Sequence, residues 1–304
     1  MTPSGTARGT ARAVPRRAVK STPVPLDPAL RPEEALRSIA RSCVAHFCAN
    51  LAGIDGPHPR EYLHQARIAL RRLRSALRLV HPAGSKVNGL RKEIKWLARR
   101  LGEARDWDVF MTGIGRLVQA RADKEETARL LLVAARRNRT LARKAAREAL
   151  HSARFQTLRD DLEGWLASPC IPHTEGIALR DFAARALRKR HKRLFRLAAA
   201  LAHGTQQERH KTRVAAKRLR YIADYFGPLV SPKAARRYVR ELADLQDALG
   251  TLNDVANARR LAAALPGAPA AEALIEKHSR ARERKNLARA RAALKRLDEG
   301  GRLH

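Results

Sequence analysis

The residues best suited to chemistry in this 304-residue chain are cations set at helical intervals. His64, Arg67, Arg71, Arg74 and Arg78 recur every three or four positions, as do His210, Arg213, Lys217 and Arg220. At 100° per residue the first set falls within a stripe roughly 80° wide, with Leu70, Leu73 and Leu77 on the opposite side. Arg72 and Arg218 stand beside the stripes and complete two basic blocks. Such groups offer donors without acceptors, and arginine presents phosphate oxygens with a permanently charged, bidentate fork. A rise of about 5.4 Å per turn spaces the donors along a line, which suits an extended polyanion. Like charges three and four residues apart cost a few tenths of a kcal/mol per pair, a repulsion that a polyanion would relieve.

The elements that position these residues form an internal repeat. His64-Gln-Ala-Arg67-Ile-Ala-Leu-Arg71-Arg72-Leu73-Arg74 matches His210-Lys-Thr-Arg213-Val-Ala-Ala-Lys217-Arg218-Leu219-Arg220. Further on, Leu101-Gly102-Glu-Ala-Arg105-Asp106 matches Leu249-Gly250-Thr-Leu-Asn253-Asp254. The offsets are 146 and 148, so one half copies the other with a small loop change. Asp224 stands where the second copy would need its fifth cation. From Pro32 onward the periodicity is helical and no run alternates like a strand, which predicts an all-α bundle. Gly102 reads as the end of one helix, and Asp106 as the N-cap of the next. Asp254 takes the same capping role in the second copy, and Asp247 is expected to pair with a cation of its own bundle.

Composition narrows the partner. There are 63 Lys plus Arg against 29 Asp plus Glu, a net charge of +34, so the chain repels itself without a polyanion against it. A hydrophobic fraction of 44% still supplies a core, and an aromatic share of 4% means Leu, Ala, Val and Ile must build it. No apolar run approaches the roughly 20 residues of a membrane span. Residues 1–32 hold six prolines and many arginines and read as a disordered basic tail, with a transit peptide as the other reading. Three cysteines point to a reducing, cytoplasmic setting.

The two ordered blocks in a repeat resemble the CHAD domain, a histidine-containing α-helical family. The resemblance covers about Glu34 to Leu297 and includes Leu245-Gln246-Asp247-x-Leu249-Gly250-x-Leu252-Asn253-Asp254. It implies a compact fold of two pseudo-symmetric four-helix halves, here about 33–166 and 177–298 around a linker at 167–176. It also implies binding of inorganic polyphosphate and association with polyphosphate granules.

Further stripes extend the candidate set. Arg129, Arg136, Arg139, Arg143 and Arg147 share a face, as do Arg185, Arg188, Lys189, Lys192 and Arg196. Arg91, Lys95 and Arg99 make a shorter one. Any single stripe can equally be a solvated helix face. Lys95, Arg99, Arg136 and Arg143 join the two duplicated stripes as candidate polyphosphate ligands. His64 and His210 are expected to donate to phosphate, more strongly when protonated near neutral pH. Cys43-x-x-His46-x-Cys48 has ligand chemistry, but its side chains diverge on a helix and no second pair completes a zinc site. No glycine-rich phosphate loop, nucleophile motif or HExxH is present, so catalysis and cofactors are not expected. The rival readings are nucleic-acid binding, which Tyr221 and Tyr225 alone would support by stacking, and polyphosphate metabolism.

Overall fold

The computed structural model describes residues 17–80, 85–121, 125–167, 176–201 and 204–300. Ten helices and no strand occur among them: α1 (Pro32–Ile54), α2 (Pro59–Leu77), α3 (Ser85–Thr112), α4 (Ile114–Gln119), α5 (Glu126–His151), α6 (Ala153–Ala167), α7 (Leu179–Ala198), α8 (Gln206–Val230), α9 (Pro232–Ala262) and α10 (Ala268–Glu299). The matched blocks lie on α2 and α8 and on α3 and α9. The expectation of four helices in each half holds only for α7–α10. The first part has six, because Gly113 sets off the short α4 and Ser152 divides α5 from α6. Ser152 leaves the helical conformation and its hydroxyl accepts from the Phe155 amide at 3.2 Å, starting the next helix.

Helix starts follow local chemistry. Pro32 opens α1, and the Arg31 amide donates to Glu34 Oε2 at 2.9 Å. At α8, Thr205 and Glu208 form a reciprocal capping box. One expected stop is overridden by packing: α3 runs unbroken through Gly102. α8 likewise continues past Pro228, which lies in its last turn. Asp106 and Asp254 therefore sit inside helices and cap neither one.

The apolar faces meet in two clusters. The larger one gathers Leu70, Leu73 and Leu77 of α2 with Leu90, Ile94 and Leu97 of α3 and Leu219, Ile222 and Phe226 of α8. A smaller one joins Trp107 and Phe110 of α3 to Leu131 and Leu132 of α5, Leu261 of α9 and Ile275 of α10. Each buried leucine contributes about 1.5–3 kcal/mol, several times the repulsion between two cations on the same helix. The leucine face of α2 thus decides where its basic face must point. Among the described residues no helix is long and apolar enough to cross a membrane.

The expected tail boundary at residue 32 is corrected. Residues 1–16 lie outside the described residues, but residues 17–31 run along α1, with Val24, Leu26 and Leu30 packed against the larger core. Asn50, fully buried, accepts from the Val19 amide and donates to the Val19 carbonyl, both at 3.0 Å, and His46 Nε2 lies 3.0 Å from the same carbonyl. Proline-rich sequence prevented a helix here, yet isolated apolar residues still found a partner. Asn50→Ala should destabilise the protein by about 2 kcal/mol, because the Val19 backbone would lose its buried partner. Truncation at residue 31 should lower the denaturation midpoint at least as much, as read by chemical unfolding.

Candidate polyanion-binding site

The basic faces of α2 and α8 meet across a cavity of about 740 Å³, with α3 and α9 contributing further walls. Ten residues designated from the sequence line it: His64, Arg67, Arg71, Arg74 and Arg78 from α2 and its C-cap, and His210, Arg213, Lys217, Arg218 and Arg220 from α8. Arg105 of α3 adds a ninth Lys or Arg, against three carboxylates, Asp106, Asp247 and Asp254. Asp106 is already engaged, its Oδ2 lying 3.3 Å from Arg260 Nη2. Asp247 lines the cavity, and the expected ion pair with a cation is not found among the described residues.

The crowding is electrostatically severe. Burial, reinforced by Arg71 and Arg213, pushes the Lys217 amine down to about 5. Burial and then Arg71 lower Arg67 to about 10, and burial with Arg78 and Arg193 lowers Arg218 to about 10. Arg105 and Arg213 shift the same way, with burial first among the causes. His64 falls to about 4 through burial and then Arg105, so the expectation that it protonates near neutral pH fails for the free protein. Its neutral ring still offers one N–H. His210 is exposed, with Nδ1 3.1 Å from Asn253 Oδ1.

Several donors here have no protein acceptor. Arg71 Nε, Arg213 Nε and Arg105 Nη1 are buried with no hydrogen-bond partner among the described residues. A buried unpaired N–H is costly, and a side-chain shift that turns these guanidinium groups toward an oxyanion in the cavity would relieve that cost. Arg67 is held differently. Its Nη1 donates to the Ala98 carbonyl at 3.2 Å, crossing α3 directly over Gly102. A Cβ at Gly102 would collide with that Nη1. Gly102 therefore makes room for a guanidinium and does not end a helix. Gly250, its counterpart on α9, also lines the cavity, but a Cβ there would meet nothing within 4 Å.

Five designated residues lie elsewhere. Arg72 is buried on the core side, its guanidinium 4.9 Å from the Tyr225 ring centroid. Adjacent to Arg71 in sequence, it is turned about 100° away and serves the packing between α2 and α8. Arg143 Nη2 donates to Asp108 Oδ1 at 2.6 Å and Arg139 Nε to the same oxygen at 2.7 Å. Asp108 is fully buried, so these two arginines neutralise an interior charge. Arg136 is exposed and donates to Gln119 Oε1 at 2.6 Å. Lys95 and Arg99 are exposed on α3 and line no part of this cavity. Arg105 belongs to the block whose glycine resembles a helix end, which hides it in the sequence. The pairing of that block with the repeat is the signal that it faces the same site.

The aromatic residues near the stripes do not present stacking faces. Tyr221 borders the cavity but is buried, and Tyr225 is buried beneath Arg72, its hydroxyl 3.4 Å from Cys43 Sγ. Cys43 and His46 thus take separate partners, and no three His, Cys, Asp or Glu side chains gather to hold a metal among the described residues.

Comparison with known proteins agrees with this architecture. The CHAD domain family model matches residues 38–263. The crystal structure of the CHAD domain from the plant Ricinus communis superposes with a TM-score of 0.79 at 29% identity, covering 92% of this chain and 97% of that one. PptA from Streptomyces chartreusis is similar in fold, with a TM-score of 0.64 at 19% identity over 89% of this chain and 100% of that one. No functionally curated protein matches the chain.

The two glycines yield a paired prediction. Alanine gains about 1 kcal/mol over glycine in a helix interior, so Gly250→Ala should leave the protein equally or more stable, with anion affinity unchanged. Gly102→Ala should keep the fold but displace the Arg67 guanidinium, weakening polyanion binding about tenfold. Thermal unfolding and titration with tripolyphosphate would read both.

Proposed function

The chain belongs to the CHAD domain family, and on that footing we propose that it holds inorganic polyphosphate in the cavity between α2 and α8. One observation carries the reading: nine Lys or Arg side chains converge on a single cavity, and Arg71 Nε, Arg105 Nη1 and Arg213 Nε among them are buried with no acceptor among the described residues. Repulsion of this kind is stored in the free protein and released when phosphate oxygens enter. The ligand is held and not cleaved in this reading, which rests on the sequence carrying no glycine-rich phosphate loop, nucleophile motif or HExxH. With Mg²⁺ present, purified protein should release no phosphate from the polymer. The same surface charge recruits the protein to polyphosphate granules in the cytoplasm.

Nucleic acid is the weaker occupant. Its phosphates would find the same cations, but its bases need faces to stack on, and Tyr221 and Tyr225 are buried. In competition, polyphosphate should displace DNA readily and DNA should displace polyphosphate poorly. The reverse order would overturn the assignment.

Charge reversal tests the cavity directly. Arg71→Glu with Arg74→Glu, and separately Lys217→Glu with Arg220→Glu, should each weaken long polyphosphate at least about tenfold, about 1.4 kcal/mol. Circular dichroism should remain helical, since the leucine faces are untouched. A change within about twofold in each pair would count against a shared cavity.

Binding should also take up protons. In the free protein the Lys217 amine titrates at about 5 and is neutral at pH 7, whereas bound phosphates favour its ammonium form. The bound state therefore holds more protons, and affinity rises as pH falls through the neutral range toward the free-state value of about 5. His64, at about 4 in the free protein, acts in the same direction at the acidic end. Calorimetry in buffers of different ionisation enthalpy should register net uptake near pH 7. Zero uptake would contradict a contact at Lys217.

A further inference from the structure

The cavity is not equally basic at its two ends. Toward His64 and His210 it carries Asp106 and Asp254, while toward Arg78 three cations line it, Arg74, Arg78 and Arg218; Asp247, beside the Gln246 that donates to the Ala216 carbonyl, is the remaining carboxylate. Arg78 has no cationic counterpart on α8, where Asp224 stands instead with its carboxylate 3.9 Å from Arg220. Beyond Arg78 and Arg218 lies α7, packed along α8. Its Arg190 and Arg193 lie close enough to Arg218 to act on its charge, and Arg190 Nη1 is anchored on the Ala186 carbonyl at 3.0 Å.

α7 holds eight Lys or Arg and one acid, Asp181, in twenty residues. Its core face is Ala183, Leu187, His191 and Leu194. Arg185, Lys189, Arg193 and Arg196 are exposed and fall on one flank within about 80°, adjoining Arg190. None of these four makes an ion pair among the described residues. Thr212 donates to the Leu197 carbonyl, so Arg196 lies alongside the cavity, and from Arg193 to Arg185 the flank carries the cationic line about 12 Å beyond Arg218 at 1.5 Å per residue. α1, which precedes α2 as α7 precedes α8, offers no equivalent: it has two cations, Arg37 and Arg41, and two acids, Glu33 and Glu34.

We propose that a polyphosphate chain too long for the cavity leaves it past Arg78 and runs along the exposed basic flank of α7, so that this helix sets the preference for long chains. The proposal rests on the cavity reading above. The flank is an extension of the cavity and gains from it by linkage: a chain already held at Arg71 and Lys217 meets α7 at high effective concentration. Short chains end before they reach it.

The test compares Arg185→Glu/Lys189→Glu with a control of equal charge change on α5, Arg137→Glu/Arg147→Glu, where both residues are exposed. Each full-length variant is titrated with tripolyphosphate and with long-chain polyphosphate at fixed salt. The α7 variant should lose at least about tenfold in long-chain affinity and stay within about twofold for tripolyphosphate, while the control stays within about threefold for both. Equal long-chain losses in the two variants would mean diffuse attraction, and no loss in the α7 variant would mean the chain leaves elsewhere. Either result overturns the proposal while leaving the cavity reading intact. Failure of the unaltered protein to bind either polymer would instead overturn the cavity reading, and the α7 path with it.

Discussion

Mutual repulsion among the cavity cations is the constraint around which the rest of the molecule is arranged. Burial lowers the proton affinity of Arg67, Arg105, Arg213 and Lys217, and the neighbouring Arg71 lowers that of Arg67, Arg213 and Lys217 further. Asp106 and Asp254 offset this only in part, and Asp106 is shared with Arg260. The opposing force is apolar. Leu70, Leu73 and Leu77 bury fully behind the α2 stripe, and Leu219 and Ile222 do so behind that of α8. Hydrophobic burial of about 1.5–3 kcal/mol per leucine, summed over both helices, opposes that repulsion, so the fold can bring two positive faces together.

Elsewhere the protein keeps its arginines apart from this site by giving them partners. Arg139 and Arg143 neutralise the buried Asp108, Arg296 bridges Glu241 and Asp244, and Arg259 bridges Glu276 and Glu283. Arg91 Nη2 donates to the Leu77 and Val80 carbonyls at the end of α2, at 2.6 and 2.8 Å. The cavity differs in density of charge: nine Lys or Arg line it against three carboxylates. Arg143 is tied through Nη2 to the buried Asp108, whereas Arg71 lines the cavity, although both sit in helical stripes of the same composition.

The glycines carry a related lesson. Gly102 and Gly250 occupy matched positions, yet only Gly102 has a guanidinium lying where its Cβ would be. Helix propensity alone would end or weaken α3 there. Packing instead carries the helix straight through, with Leu101 and Ala104 buried on either side of the gap. The repeat is therefore used unequally: Arg78 answers to Asp224, and the helices α1 and α7 that precede the stripes differ sharply in charge.

The sequence by itself determined the helical class, the opposition of leucine and cation faces on α2, and ten of the residues that line the cavity. These follow from a period of 3.6 residues, which fixes the face of each side chain before any tertiary contact exists. It also made the family resemblance legible through two ordered blocks. Only the tertiary structure decided which stripes converge. Arg136, Arg143, Lys95 and Arg99 have the same spacing as Arg71 and Arg74, but partners and location depend on neighbouring helices that no local pattern encodes. Arg72 was lost to the core for the complementary reason: it lies one residue, and so about 100°, from the stripe. The proline-rich segment at 17–31 and the role of Gly102 were equally invisible. Both depend on distant contacts, Val19 with Asn50 and Arg67 with Ala98, that form only once the helices have packed.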